Sequence, residues 1–410
     1  MMKRRVVVTG MGLRTPIGNT LETFSAGLRS GAKGVHRMPE WEQIQNLRTR
    51  VAGLVALGEG DELPRKIRRG MGRVALLAAL ATRDAIAHSG LPDEAVASER
   101  CGVSFGSTAG SSHSLEQFLR QVLEQRSLLG MQSSTYLQFM SHTCAANVAV
   151  MFGAQGPVVA SCTACTSGSQ GVGFAYEAIQ QDRADRMLAG GAEEMHFMDA
   201  GIFDIMRATS AGYNDAPERT PRPFDRRRDG LVVGEGAATL VLEEYEHAKK
   251  RGASIYAEII GYGQGCNGTH PTNSDPDGIC IAINLALRDA QLAPTDIQHI
   301  NAHATGTDVG DAAEAEAIHR IFGAEVPVSG LKGYLSHTLG ASGAIESVAT
   351  MLMMREGFMA VTKNLEEPDP ALPPIDHVLG SPRQERVRIA MNNNFAFGGI
   401  NTSLIFRALS

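Results

Sequence analysis

Short apolar runs alternate with longer stretches of helical periodicity along most of the chain. Val6-Val7-Val8, Val158-Val159-Ala160 and the segments 186–191, 238–242 and 257–261 are short and largely apolar, the pattern of strands buried in a sheet. Behind the second of them, Val172, Phe174, Ala175, Ala178 and Ile179 recur at roughly helical spacing. This alternation predicts an α/β architecture with buried sheets. The charged run 243–251 follows the strand at 238–242 and reads as a solvated helix face. We place a join near it, between Glu243 and Gly252, which divides the chain into 1–247 and 248–410. No sequence repeat relates the two parts, and no low-complexity linker separates them.

Composition narrows the class. With 410 residues, 43% of them hydrophobic, the chain has ample core for two or three ordinary domains. A formal net charge of −6 argues against a nucleic-acid binder. No stretch reaches the ~20 apolar residues that a membrane span needs. Met1-Met2-Lys3-Arg4-Arg5 leads straight into a short strand, without the apolar core of a signal peptide. Six scattered cysteines fit a reducing cytoplasm better than a disulfide framework.

One cysteine stands out. Cys165, in Thr163-Ala164-Cys165-Thr166-Ser167-Gly168, falls at the turn between the strand at 158–160 and the helical pattern. At a helix N-terminus, free amides and the macrodipole favour an anion, which lowers the pKa of a thiol there. Small neighbours let a substrate carbonyl approach. Cys162 and Cys165 also make a C-x-x-C pair, but Cys101, Cys144, Cys266 and Cys280 supply no second pair. No Cys/His cluster has zinc spacing, so neither a zinc site nor a redox dithiol is expected. A lone cysteine is more often a small buried apolar residue than a nucleophile. Histidines able to act on an acyl group lift Cys165 above that. His303, in Asn301-Ala302-His303-Ala304-Thr305-Gly306-Thr307, and His337, in Leu335-Ser336-His337-Thr338-Leu339-Gly340, each lie in a turn rich in Gly, Ser and Thr. The other ten histidines lack that setting.

In order, Thr-Ala-Cys-Thr-Ser-Gly at 163–168, Asn-Ala-His-x-Thr-x-Thr at 301–307, Lys332-x4-His337-x2-Gly340-Ala341-x-Gly343-Ala344-x-Glu346, and Asn394-Phe395-Ala396-Phe397-Gly398-Gly399-Ile400-Asn401 closely resemble the β-ketoacyl-[acyl carrier protein] synthases of the elongating type II kind. The resemblance runs from Arg5-Val6-Val7-Val8-Thr9-Gly10 through Pro221-Arg222-Pro223-Phe224-Asp225 to Asn401-Thr402-Ser403-Leu404, essentially the whole chain. It implies the thiolase-like fold, in which two similar α/β halves pack into a five-layered core. It implies a decarboxylating Claisen condensation of an acyl primer, held on Cys165, with malonyl-[acyl carrier protein], and no metal or organic cofactor. His303 and His337 would be the pair that promotes decarboxylation and stabilises the enolate, with Lys332 and Glu346 as a supporting charged pair. The amides of Cys165 and Phe397 would form the oxyanion hole, and Phe397 would also gate the acyl chain. Thr305 and Thr307 would bind the phosphopantetheine arm, while Ala109 and Phe395 would line the acyl site.

Departures from the family pattern concern the loops. Ala396 stands where Gly is usual in the gate loop, Ile400 where Thr is usual, and Ser336 where a Gly usually precedes the histidine; Ala304 and Gly306 alter the first histidine turn. Ala396 is expected to restrict gating through its added β-carbon. A small Ala109 and this gate loop resemble aryl polyene ketosynthases, so the pathway stays open between fatty-acid and aryl polyene or polyketide synthesis. Arg65, Lys66, Arg68, Arg69 and Arg73 cluster on an otherwise acidic chain, and with Arg207 they are expected to dock an acidic acyl carrier protein. Members of the family are dimers, of like chains or with a ketosynthase-like chain-length factor. Two alternatives remain: a chain-length-determining partner subunit without turnover, which would lack the Cys165, His303 and His337 set, and a degradative thiolase, which would carry a second cysteine near the C-terminus. No cysteine follows Cys280. A carrier-priming synthase of the Cys-His-Asn kind is disfavoured by His337.

Overall fold

The computed structural model describes residues 3–270, 272 and 274–409. Ten strands carry its core: β1 (Val6–Arg14), β2 (Cys101–Gly106), β3 (Val158–Ser161), β4 (Arg186–Glu193), β5 (Gly236–Glu244), β6 (Ala257–Cys266), β7 (His299–Ala302), β8 (Pro327–Gly330), β9 (Ile389–Phe395) and β10 (Ile400–Arg407). Five helices matter most here: α1 (Arg73–Ser89), α2 (Ser167–Gln180), α3 (Pro276–Ala290), α4 (Asp308–Phe322) and α5 (Ser342–Glu356).

The first five strands lie in the order β3-β2-β4-β5-β1 and the second five in the order β8-β7-β9-β10-β6. In each set the three outer strands are parallel and the last two pairings are antiparallel. The same topology thus occurs twice, although the sequence shows no repeat. The sets join edge to edge where Val6, Val7 and Val8 pair with Ile259, Glu258 and Ala257. A short strand, Asp376–His377, covers the far edge of β8, whereas β3 ends the sheet with one neighbour only. Helix α1 packs on β1 and β5, α3 on β6 and β10, and α2 and α5 lie against each other between the two sets of strands. This is the five-layered order expected.

Side-chain size explains how the outer helices come so close. A β-carbon on Gly12 would lie 2.2 Å from the Ala81 carbonyl oxygen of α1, and one on Gly263 would lie 2.1 Å from the Ala282 oxygen of α3. The two glycines occupy equivalent places in the two halves. Helix α5 carries little amphipathic pattern because almost none of it meets solvent; every residue from Ser342 to Met354 is buried.

Two expectations need correction. Residues 243–251 are not one solvated helix face: Glu243 and Glu244 finish β5 and are buried, and the helix starts at Tyr245. Glu243 accepts from Thr9 and pairs with Arg251 at 2.5 Å, so partners offset its burial. The strand around Val158 is not buried either. It is the sheet edge, with Val158 51% exposed. No helix among the described residues is long and apolar enough to cross a membrane.

Replacing Gly12 or Gly263 by Ala should destabilise the protein by about 1–3 kcal/mol each, the usual cost of overpacking. Urea denaturation would check this, with Gly58→Ala, at an uncrowded position without left-handed backbone, as the reference for backbone effects alone.

Candidate active site

Cys165 lies in a short 3-10 turn, Ala164–Thr166, between β3 and α2. Ala164 takes a φ of 49°, so the chain bends sharply just before the thiol. The hydroxyls of this turn serve its own backbone: Thr166 Oγ1 donates to the Thr163 carbonyl at 2.8 Å and Ser167 Oγ to that of Ala164 at 2.7 Å. Short polar side chains are thus needed where α2 begins.

His337 reaches the thiol from the other half of the fold. Its Nε2 lies 3.0 Å from Cys165 Sγ, and its Nδ1 lies 3.1 Å from Ser342 Oγ in the first turn of α5. The His337 backbone N–H donates to the Val232 carbonyl at 2.6 Å. His303 follows directly on β7; its ring stands edge-on to that of His337, with centroids 5.1 Å apart, and 5.9 Å from the ring of Phe395. One ligating atom each from Cys165, His303 and His337 falls within 4.8 Å of the others. Lys332 Nζ bonds Glu346 Oε1 at 2.6 Å, and Asn394 Nδ2 donates to the other carboxylate oxygen at 2.7 Å. All three side chains are buried.

Burial sets the charges here. The Cys165 thiol is pushed up to about 12 by burial, against a smaller opposing pull from Lys332. Both imidazoles are held well below the ordinary histidine range by burial first and the Lys332 charge second. At neutral pH the resting site is therefore a neutral thiol beside two neutral rings. Burial thus works against the lowering expected at a helix N-terminus, because Cys165 is only 6% exposed and desolvation disfavours its thiolate.

These groups stand in a cleft of about 450 Å³. Thr305 and Thr307 line it, with their hydroxyl oxygens 2.9 Å apart; Thr307 Oγ1 also caps α4 by accepting from Gly310. Phe395 and Phe397 line it too, the Phe397 ring lying 5.5 Å from that of Phe203. The loop carrying Phe397 closes with a bond from Ala396 N–H to the Ile400 carbonyl, and left-handed backbone occurs at Gly398 and Gly399 but not at Ala396. The β-carbon of Ala396 thus imposes no left-handed strain in this conformation of the loop.

Arg207 is exposed at the cleft mouth. Arg65, Lys66, Arg68 and Arg69 are exposed on and just after the short helix Arg65–Arg68 and do not line the cleft. Arg73 leaves that group: it pairs with buried Glu235 at 2.6 Å. Ala109 is exposed and stands outside the cleft, in a turn whose Thr108 carbonyl accepts from Cys162 Sγ.

Sequence reasoning missed the carboxylates that shape the His303 turn. Glu314 on α4 accepts from the N–H groups of His303 and Ala304 at 2.8 and 2.7 Å, and Asp311, one turn earlier, accepts from Gly306 and Phe224 at 3.0 and 2.7 Å. Burial raises both carboxyls, to about 8 and about 6. The signal was two acids three residues apart, directly behind a Gly turn. Ser342 and Asn394 were missed as partners of His337 and Glu346.

Ser336 accounts for one departure from the family pattern. Its backbone, at φ 64° and ψ −177°, occupies a region used almost only by glycine, at a cost of about 1–3 kcal/mol. Ser336→Gly should therefore stabilise the chain by about 1 kcal/mol, once the larger freedom of glycine in the unfolded state is offset, read as a raised urea midpoint. Alkylation of Cys165 by iodoacetamide should accelerate about tenfold per pH unit between pH 7 and 9, since only the thiolate reacts. A rate already level by pH 8 would show that the helix end governs the thiol after all.

Two family models match the chain: the N-terminal domain of beta-ketoacyl synthase over residues 3–248 and its C-terminal domain over 256–366. A 3-oxoacyl-[acyl-carrier-protein] synthase 1 of Haemophilus influenzae is 36% identical over 407 residues, covering 98% of this chain and 99% of that one. Among solved structures, a beta-ketoacyl synthase from Burkholderia phymatum is 47% identical, with a TM-score of 0.96 over 99% of this chain and 100% of that one. The ishigamide ketosynthase/chain length factor superposes with a TM-score of 0.92 at 32% identity, with both chains covered completely. With its duplicated topology and its Cys-His-His cleft, the chain belongs to the beta-ketoacyl synthase family.

Proposed function

We propose that this chain catalyses the decarboxylating Claisen condensation of an acyl primer with malonyl-[acyl carrier protein], giving β-ketoacyl-[acyl carrier protein]. The observation that carries the reading is the 3.0 Å contact of Cys165 Sγ with His337 Nε2, with His303 beside it in a cleft open to solvent. Cys165 attacks the primer thioester while its proton passes to His337 Nε2 and then to the departing carrier thiolate. The backbone amides of Cys165 and Phe397 meet the oxyanion. Malonyl thioester then loses carbon dioxide, and its enolate oxygen takes hydrogen bonds from His303 and His337. The enolate carbon attacks the Cys165 thioester, a C–C bond forms, and the C–S bond breaks to release the Cys165 thiolate, which takes up a proton from solvent to restore the thiol.

The two steps ask opposite things of His337 Nε2, which accepts a proton first and donates a hydrogen bond later. Ser342 Oγ suits both, because a hydroxyl can accept from Nδ1–H or donate to bare Nδ1, and it has Thr338 Oγ1 at 3.1 Å as a second partner. The Lys332–Glu346 pair keeps a positive charge near the site while its partner limits the cost of burial. Thr305 and Thr307 take the amides of the phosphopantetheine arm, Phe395 packs on the acyl group, and Phe397 moves to admit it. Arg207, with Arg65, Lys66, Arg68 and Arg69, receives the acidic carrier protein. The division at 247/248, which puts Cys165 in one half and both histidines in the other, is part of the same reading and is supported by the matched strand order. Six free cysteines agree with a reducing cytoplasm.

We also place a second chain, like or ketosynthase-like, on the bare edge of β3. Val158, Val150, Leu123 and Leu129 are 51%, 84%, 59% and 87% exposed on the segment that ends in this strand, which is unusual for large apolar groups. The ishigamide structure pairs a ketosynthase with a chain length factor.

Incubation with acyl-carrier thioesters, saturated and polyenoyl, should add one acyl group by intact mass, mapped to Cys165. Cys165→Ala should take up none, and persistent loading of that variant would overturn the assignment. The best-loading primer decides between fatty-acid and aryl polyene synthesis. Val158→Lys should shift the chain from dimer to monomer in light scattering; an unchanged mass would remove β3 from the interface.

A further inference from the structure

Glu193, the last residue of β4, is 2% exposed and absent from the cleft wall. Its carboxylate nevertheless joins two loops that come from different halves of the chain. Oε2 accepts from the backbone N–H of Thr108 at 2.8 Å and from that of Gly340 at 3.0 Å, and Oε1 accepts from Ser107 Oγ at 3.2 Å. On one side, Thr108 Oγ1 donates to the carbonyl of Ala164 at 3.5 Å, the residue whose left-handed φ sets the direction of the Cys165 turn. On the other, Gly340 lies three residues after His337 and two before Ser342, which holds His337 Nδ1.

We infer that Glu193 is a positioning residue that sets the Cys165–His337 contact by tying the Thr108 turn to the Gly340 turn. Only an acceptor can do this, since both backbone groups it meets are donors. Its neighbour Glu194 is engaged elsewhere, accepting from Val74 N–H, Ser111 Oγ and His113 N–H, so it is no substitute. Gly340 is also closed in from behind: a β-carbon on Gly168 would lie 2.7 Å from its carbonyl oxygen, and one on Gly191 would lie 2.4 Å away. The Gly340 turn is thus pressed against α2 on one face and held by Glu193 at its N–H. Burial raises the Glu193 carboxyl to about 7, so an uncharged acceptor of the same shape is well suited to the place.

Three variants test this, read by the rate of acyl transfer to Cys165 and by KM for the acyl carrier. Glu193→Gln keeps an oxygen for both N–H groups and turns an NH2 toward Ser107 Oγ; it should stay within about fivefold of the parent rate. Glu193→Leu removes the acceptor, and Glu193→Asp keeps the charge but falls a methylene short of bridging both loops. Each should lose on the order of 100-fold in rate with KM little changed, the effect of a displacement near 1 Å. In a His337→Ala background the loss caused by Glu193→Leu should shrink to under about fivefold, because the contact it protects is gone. An undiminished loss there would reveal a merely structural role and overturn the inference. If Glu193→Leu does not fold, the other two decide: Glu193→Asp equal to the parent, or Glu193→Gln as poor as Glu193→Asp, overturns it equally.

Discussion

The constraint on which the site depends is the meeting of α2 and α5. A β-carbon on Gly343 would lie 2.5 Å from Ser169 N, and one on Gly168 would reach the backbone of Gly340 and Ala344. Two helix beginnings therefore touch almost backbone to backbone. Cys165 is carried by the turn before one and His337 by the turn before the other, so their contact follows from how closely the helices can approach. Helix beginnings also leave N–H groups without intrahelical acceptors, and they concentrate positive potential where negative charge must develop during acyl transfer. The duplicated strand order exists around this seam: each sheet delivers one of the two helices to the middle layer.

Seclusion from water gives the site a second character. It raises the Cys165 thiol and keeps both rings neutral, while the buried charges of Lys332 and Glu346 nearby satisfy each other. A neutral resting pair suits chemistry in which the proton moves as the carbonyl is attacked. Carboxylates behind the loops do the shaping. Glu314 and Asp311 form the His303 turn and Glu193 bridges the Cys165 and His337 turns, each by accepting from backbone N–H groups.

Much of this was legible in the chain. The apolar runs marked β1, β4, β5 and β6, the turn chemistry around Cys165 marked a strand-to-helix junction, and four motifs in order marked the family. What stayed hidden had physical causes. The duplication is written in strand order, while side chains on the two halves have diverged to carry a thiol in one and imidazoles in the other. Glu243 and Glu244 read as solvated because nothing local announces Arg251 folding back on Glu243 or the strand running on to its end. The burial that raises the Cys165 thiol was not foreseen because depth of burial is a property of the whole fold. Glu193 meets backbone N–H groups 85 and 147 residues away along the chain, and pattern reading has no access to which of them a carboxylate will meet.

The two ends of the sheet differ, and that difference limits how the chain can assemble. Beyond β8 lies Asp376–His377, while beyond β3 lies nothing among the described residues. A sheet bare at both ends could recruit neighbours without limit and grow into a filament. Here one terminal strand is only two residues long while the other is the four-residue β3, so β3 is the longer edge open to pairing, and once two such edges meet little is left for a further strand to add to. The pairing through β3 proposed above would thus end at two chains.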